Sequence, residues 1–176
     1  MHHEKLAVVL VEDLYEDLEL HYPRLRLIEA GFEVSVVGPE KGREYTSKHG
    51  YPVACDAAFG DIDPDQVSVL IVPGGYAPDR LRRHIECCQL VNAVWEAGAV
   101  VGVICHGGWV PISAGILKGK RLTSFPAIKD DLMNAGAAWA DEHCVTDGNL
   151  VTAQVPSDLP VFMAAILELT QTSVSA

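Results

Sequence analysis

The sequence predicts a doubly wound α/β fold, a largely parallel sheet with helices on both faces. Three observations predict it. Short apolar runs rich in β-branched residues recur along the chain, and helical patterns separate them. The length of 176 residues suffices for one such sheet with a proper core and is too short for two comfortable domains, so residues 1–176 read as a single unit.

Each element has its own warrant. "LAVVLV" at 6–11 opens the sheet, and a helical segment follows from Asp17 to Ala30. Leu18, Leu25, Leu27 and Ile28 are its apolar positions, Gly31 is its stop, and Pro23 should kink or restart it. "FEVSVV" at 32–37 is the second strand. Residues 41–60 break the rhythm with Gly42, Gly50, Pro52 and Gly60, and read as a loop or hairpin excursion. "VSVLIV" at 67–72 and "VVGVI" at 100–104 are further buried strands. The helix between them, "HIECCQLVNAVWEAG", places Ile85, Cys88, Val91 and Trp95 on one face and stops at Gly98. Asp147-Gly148 signals a two-residue hairpin, and Pro160 opens a final helix of about ten residues.

Composition narrows the function. A net charge of −11 gives no basic patch for nucleic acid or an anionic membrane surface. No apolar run approaches a membrane span, and the run after Glu4 and Lys5 is too short for a signal-peptide core. His2 and His3 carry no assignable role. The five cysteines, Cys55, Cys87, Cys88, Cys105 and Cys144, include no CxxC pair, so a reducing cytoplasm is the expected location. His21, His49, His84 and His143 show no metal spacing, and neither a metal nor a cofactor is expected. No phosphate-loop or dinucleotide signature occurs.

The chemistry gathers at "VVGVICHGGWVPISAG", residues 100–115. A strand that runs into Cys105 and then a helix throws the thiol out of the carboxyl end of the sheet, with Gly107 and Gly108 read as the sharp turn and Gly115 as the helix stop. "VEDLYEDLE" and "PGGYAPDR" follow other strands, and crevices in such sheets lie beyond the strands' carboxyl ends, so these loops should meet Cys105 in space. The helix N-terminus should lower the thiol below its usual value of about 8.5. Gly74 and Gly75 can present backbone N–H groups to an oxyanion.

Several ordered segments, among them "YEDLELHYPRLRLIEAGFEV", "KHGYPV", "VPGGYAPDRLR", "ICHG", "ISAGILKGKRLTS" and "VTDGNLVTAQVPSDL", resemble the PfpI family within the superfamily of the Parkinsonism-associated protein deglycase. The resemblance implies a flavodoxin-like sandwich related to class I glutamine amidotransferases, assembled as a homodimer or higher oligomer. It implies Cys105 as nucleophile beside His106, Glu16 as the acid touching the thiol, and Gly74-Gly75 as the oxyanion site. It also implies Asp79, supplied by a neighbouring subunit, as the acid that orients His106. Gly108 and Trp109 depart from the family's usual continuation, and the indole is expected to reshape the pocket.

Two functions fit these residues. The first is a stress-protective cysteine hydrolase acting on peptides or on glyoxal and methylglyoxal adducts. The second is a redox-sensing or chaperone-like protein whose Cys105 oxidises to sulfenic or sulfinic acid beside a carboxyl group. An amidotransferase would need a late His-x-Glu pair that His143 does not supply, and Val103 stands where an α/β-hydrolase elbow has glycine.

Overall fold

The computed structural model describes residues 6–172; His2 and His3 lie outside the described residues. Its strands and helices run β1 (Leu6–Leu10), α1 (Asp17–Glu29), β2 (Glu33–Gly38), β3 (Glu44–Thr46), β4 (Pro52–Ala54), β5 (Ala57–Ala58) and β6 (Val67–Val72). Then follow α2 (Ala77–Leu81), α3 (Ile85–Glu96), β7 (Val100–Ile104), α4 (Trp109–Ala114), β8 (Arg121–Leu122) and α5 (Lys129–Asn134). The chain closes with β9 (Ala138–Trp139), β10 (Cys144–Asp147), β11 (Leu150–Ala153) and α6 (Leu159–Thr172).

Seven strands form the main sheet in the order β10-β11-β7-β6-β1-β2-β5, and only β10 with β11 is antiparallel. The inner order β2-β1-β6-β7-β11 is the flavodoxin arrangement, with its switch point between β1 and β6. The continuous apolar runs of β1, β6 and β7 are buried because helices cover both faces, and their side chains belong to one core. Asp147 pairs with Leu150 across the expected hairpin turn, where Gly148 takes φ +61°. The excursion after β2 contains the β3–β4 hairpin.

Four expectations need correction. Pro23 neither breaks nor restarts α1, which is one helix through a buried proline. The ring sits on the core face, and its missing N–H costs one hydrogen bond, so packing carries the helix through it. The buried face of α1 is Glu19, Leu20, Pro23 and Leu27, whereas Leu18, Leu25 and Ile28 are exposed. In α3 the core face is Cys87, Leu90, Val91 and Val94, and Ile85 lies outside it. The last helix runs for 14 residues rather than ten, with Pro160 in its first turn.

Candidate active site

The loops after β1, β6 and β7 converge at the switch point. Tyr15 and Gly75 form an isolated antiparallel bridge, the Tyr76 N–H donates to the Leu14 carbonyl at 2.9 Å, and the Glu16 N–H donates to the Gly74 carbonyl at 3.2 Å. Directly after β7, Cys105 takes φ +60°, left-handed backbone that a non-glycine residue rarely adopts. The sharp turn is therefore made by Cys105 itself. Gly107 and Gly108 serve close packing instead: a Cβ on Gly107 would stand 2.6 Å from the Val72 carbonyl oxygen, and one on Gly108 would stand 3.1 Å from Ile128.

The thiol meets four groups. His106 Nδ1 lies 3.3 Å from Sγ, the backbone N–H groups of His106 and Gly75 favour a charge on the sulfur, and the Glu19 carboxyl flanks it and repels that charge. The acid at the thiol is thus Glu19 and not Glu16. Glu16 is the N-cap of α1, where its Oε2 accepts the Glu19 N–H at 2.9 Å while the side chain borders the same pocket. Glu19 is fully buried, its Oε2 accepts the Gly74 N–H at 2.7 Å, and its Oε1 makes no hydrogen bond to a nitrogen or oxygen. This removes Gly74 from the oxyanion assignment, because its N–H is already committed. Gly75 and His106 supply the two N–H groups that face the sulfur.

Burial governs the electrostatics. It pushes the Cys105 thiol up to about 12, helped by repulsion from Glu19, against the pull of the His106 and Gly75 N–H groups. The expectation of a lowered thiol therefore fails for the pair with Glu19 ionised, because a second buried negative charge is costly. Glu19 in turn is raised to about 7, mainly by burial and then by the Glu16 charge. Above about pH 7 the pair as a whole keeps one proton, and in the form in which Glu19 holds it the carboxylic acid can donate to a thiolate. Burial and the charge of Lys48 lower the His106 imidazole, which favours its neutral form.

Cys105, His106, Glu16, Glu19, Gly75 and Lys48 border one pocket of about 280 Å³, with Tyr76, Phe125, Val155 and Pro156 as its apolar walls. The His106 ring stacks on Phe125 with centroids 4.8 Å apart. Trp109 does not border this pocket. Its indole packs edge-on to His106, donates to Asp131 Oδ2 at 2.9 Å, and borders a separate cavity of about 420 Å³. Its influence on the thiol pocket runs through the position of His106. Asp79 is an exposed residue of α2 and pairs with Arg83 at 3.3 Å, away from the pocket of its own chain. His143 pairs with Asp158 at 3.0 Å and also stays outside the pocket.

All five cysteines are free thiols. One trio among the described residues, Glu16, Asp17 and His49, brings possible metal ligands within 4.8 Å of one another, but Asp17 is engaged by Ser47 and His49, and Glu16 by the Glu19 N–H. Sequence reasoning missed Glu19 and Lys48. The signal for Glu19 is its repeat with Pro23 and Leu27 at i, i+4 and i+8, the stripe that α1 in fact buries.

A flavodoxin-like sheet whose strand end presents a cysteine on left-handed backbone, beside a buried carboxyl, defines a class of α/β proteins built around one thiol. The chain belongs to the DJ-1/PfpI family, whose model matches residues 5–169. It is 43% identical over 155 residues to Deglycase PfpI of Pyrococcus furiosus, covering 88% of this chain and 93% of that protein. A second deglycase, from Pyrococcus abyssi, is 44% identical over 163 residues, covering 93% of this chain and 98% of that one. Among solved structures, the DJ-1/ThiJ/PfpI-like and ferritin-like two-domain protein of Anabaena variabilis superposes with a TM-score of 0.92 at 38% identity, over 94% of this chain and 48% of that chain. Drosophila melanogaster DJ-1beta superposes with a TM-score of 0.87 at 25% identity, over 96% of this chain and 95% of that chain. No helix among the described residues is long and apolar enough to cross a membrane.

Proposed function

We propose that the protein is a cysteine-dependent enzyme of the deglycase type, acting on carbonyl adducts of small molecules or peptides and serving in protection against carbonyl stress. The observation that carries this reading is Cys105 at φ +60°, with His106 Nδ1 3.3 Å from its sulfur and buried Glu19 beside it, open to the pocket. The names of the two archaeal deglycases support it. In the first step Sγ attacks the carbonyl carbon, an S–C bond forms, and the C=O π pair moves onto oxygen. The N–H groups of Gly75 and His106 meet the new charge. The thiol proton passes to neutral His106, and Glu19 can return one to the oxygen or to the leaving group. Cys105→Ala should reduce turnover of a methylglyoxal-modified peptide to background while leaving the far-UV circular dichroism unchanged. Turnover that survives this substitution would remove Cys105 from the reaction.

One observation favours a redox-sensing role for the same thiol. The unpartnered Oε1 of Glu19 could donate a proton to a sulfinate on Cys105. Peroxide treatment followed by intact-mass measurement separates the readings, since a sensor gains two oxygens at Cys105 without any turnover in the adduct assay.

We also propose that the catalytic unit is an oligomer in which Asp79 orients His106 of a neighbouring subunit. Exposure of Asp79 on α2 supports this, as do the exposed Leu18, Leu25 and Ile28 on α1, which leave apolar surface for a second copy. Asp79→Ala should lower turnover by roughly a hundredfold or more with little loss of stability. Mixed oligomers of Asp79→Ala and Cys105→Ala subunits should regain part of the activity. No recovery after verified subunit exchange would confine each site to one chain.

A further inference from the structure

We infer that Lys48 is the anion-recognition residue of the thiol pocket, and that the preferred substrates carry a carboxylate close to the reacting carbonyl. The inference rests on Cys105 being the nucleophile of that pocket. It names as substrate class the carbonyl adducts of free amino acids and of small carboxylate-bearing thiols.

The β3–β4 hairpin is built to hold Lys48 in place. Its tip carries Ser47, which is buried. The Ser47 hydroxyl donates to Asp17 Oδ1 at 2.6 Å, and its oxygen accepts the N–H groups of His49 at 3.1 Å and Tyr51 at 3.0 Å. The His49 ring bonds Asp17 Oδ2 at 2.7 Å, and the Lys48 N–H donates to the Tyr15 carbonyl at 2.9 Å. The hairpin is thereby tied to the start of α1 on both sides of Lys48, and its one long cationic side chain is delivered to the mouth of the site.

The ammonium itself is underused. Among the described residues its one ion pair is to Glu16 Oε1 at 4.0 Å, the outer limit for such a contact, and Lys48 is one-third exposed, so that pair contributes little. The other Glu16 oxygen is occupied by the Glu19 N–H. Among the described residues Lys48 is the one lysine or arginine bordering this pocket, and its charge is felt by both His106 and Glu19. The pocket's two carboxyl groups are otherwise engaged, Glu16 with the Glu19 N–H and Glu19 with the Gly74 N–H, so with a neutral substrate the nearest counter-charge to the ammonium is Glu16 at 4.0 Å. A volume of about 280 Å³ suits a small molecule with two functional groups, one at Cys105 and one at Lys48. The chain's net charge of −11 repels anions in general, so any preference for an anionic substrate must be local to this cation.

Alkylation of Cys105 tests the inference without requiring turnover. Iodoacetate and iodoacetamide react alike: Sγ–C forms, C–I breaks and iodide leaves, and the reagents differ only in carboxylate against amide. In the wild type the ratio of iodoacetate to iodoacetamide rates at Cys105, followed by peptide mass spectrometry, should exceed the ratio in Lys48→Met by about tenfold. Lys48→Arg should keep most of the preference, and about 0.5 M salt should shrink it in the wild type, as screening requires. The ratio cancels any change in the thiol's own reactivity, and the salt titration needs no variant at all. A ratio equal in wild type and Lys48→Met, or one that salt leaves unmoved, overturns the inference. Failure of the enzymatic reading shows separately, as turnover retained by Cys105→Ala.

Discussion

Glu19→Gln is expected to stabilise the protein at pH 8 by up to about 3 kcal/mol, and to bring almost no gain below pH 4.5. The effect follows from burial. Glu19 is fully buried, and its carboxyl is raised from 4.5 to about 7, first by desolvation and then by the Glu16 charge. The folded chain therefore holds this proton more tightly than the unfolded chain does. Between pH 4.5 and pH 7 the native state binds more protons than the unfolded state, so stability falls as pH rises through that window. Above pH 7 the full cost of the buried charge is present, and a carboxyl raised from 4.5 to about 7 sets that cost at about 3 kcal/mol. Glutamine removes the charge and keeps an oxygen to accept the Gly74 N–H. Urea denaturation of both proteins from about pH 4 to about pH 9 spans the window and measures the difference directly. A constant gap across the range would show that Glu19 does not titrate in this window. The same variant should lose activity, because an amide cannot pass a proton to the reacting oxygen.

How much of this was legible in the sequence depends on which side of each helix carries information. The buried strands announce themselves, since β1, β6 and β7 are continuous apolar runs whatever their neighbours are. Cys105 is equally plain at the end of the last of these, although the sequence suggests that Gly107 and Gly108 make the turn and the structure shows Cys105 making it. Helix α1 is harder. Its leucines at 18 and 25 face out, and a carboxylate faces in, which inverts the usual reading of an amphipathic helix. The family resemblance implies Glu16 at the thiol, whereas the inverted face of α1 places Glu19 there. Lys48 carries no local signal, because its relation to Cys105 is created by a hairpin folded over the start of α1. Trp109 is adjacent to the elbow in sequence, yet its indole bonds Asp131 and borders a separate cavity instead of the thiol pocket.

Gly75→Ala should destabilise the fold by about 3 kcal/mol or more and lower turnover by about a hundredfold. Gly75 takes φ +77°, where an alanine is strained before any contact is considered. An added Cβ would stand 2.5 Å from the Glu16 nitrogen, 2.6 Å from the Leu14 carbonyl oxygen and 2.8 Å from the Tyr15 carbonyl carbon. All three are backbone atoms, so no side chain can move aside to relieve the clash. The loops after β1 and β6 would have to separate, weakening the hydrogen bonds from Tyr76 to Leu14 and from Glu16 to Gly74. The same displacement carries the Gly75 N–H away from the sulfur and moves Glu16, the N-cap that orients Glu19. Gly148→Ala is the matched control. It too has positive φ, at +61°, but nothing lies within 4 Å of the added methyl group, so it should cost only about 1 kcal/mol and leave turnover unchanged. Urea midpoints for the two variants measure the strain common to both against the contact specific to Gly75. Equal midpoints would mean that the two loops can part freely, and that the junction of β1 and β6 does not hold the oxyanion donor in place.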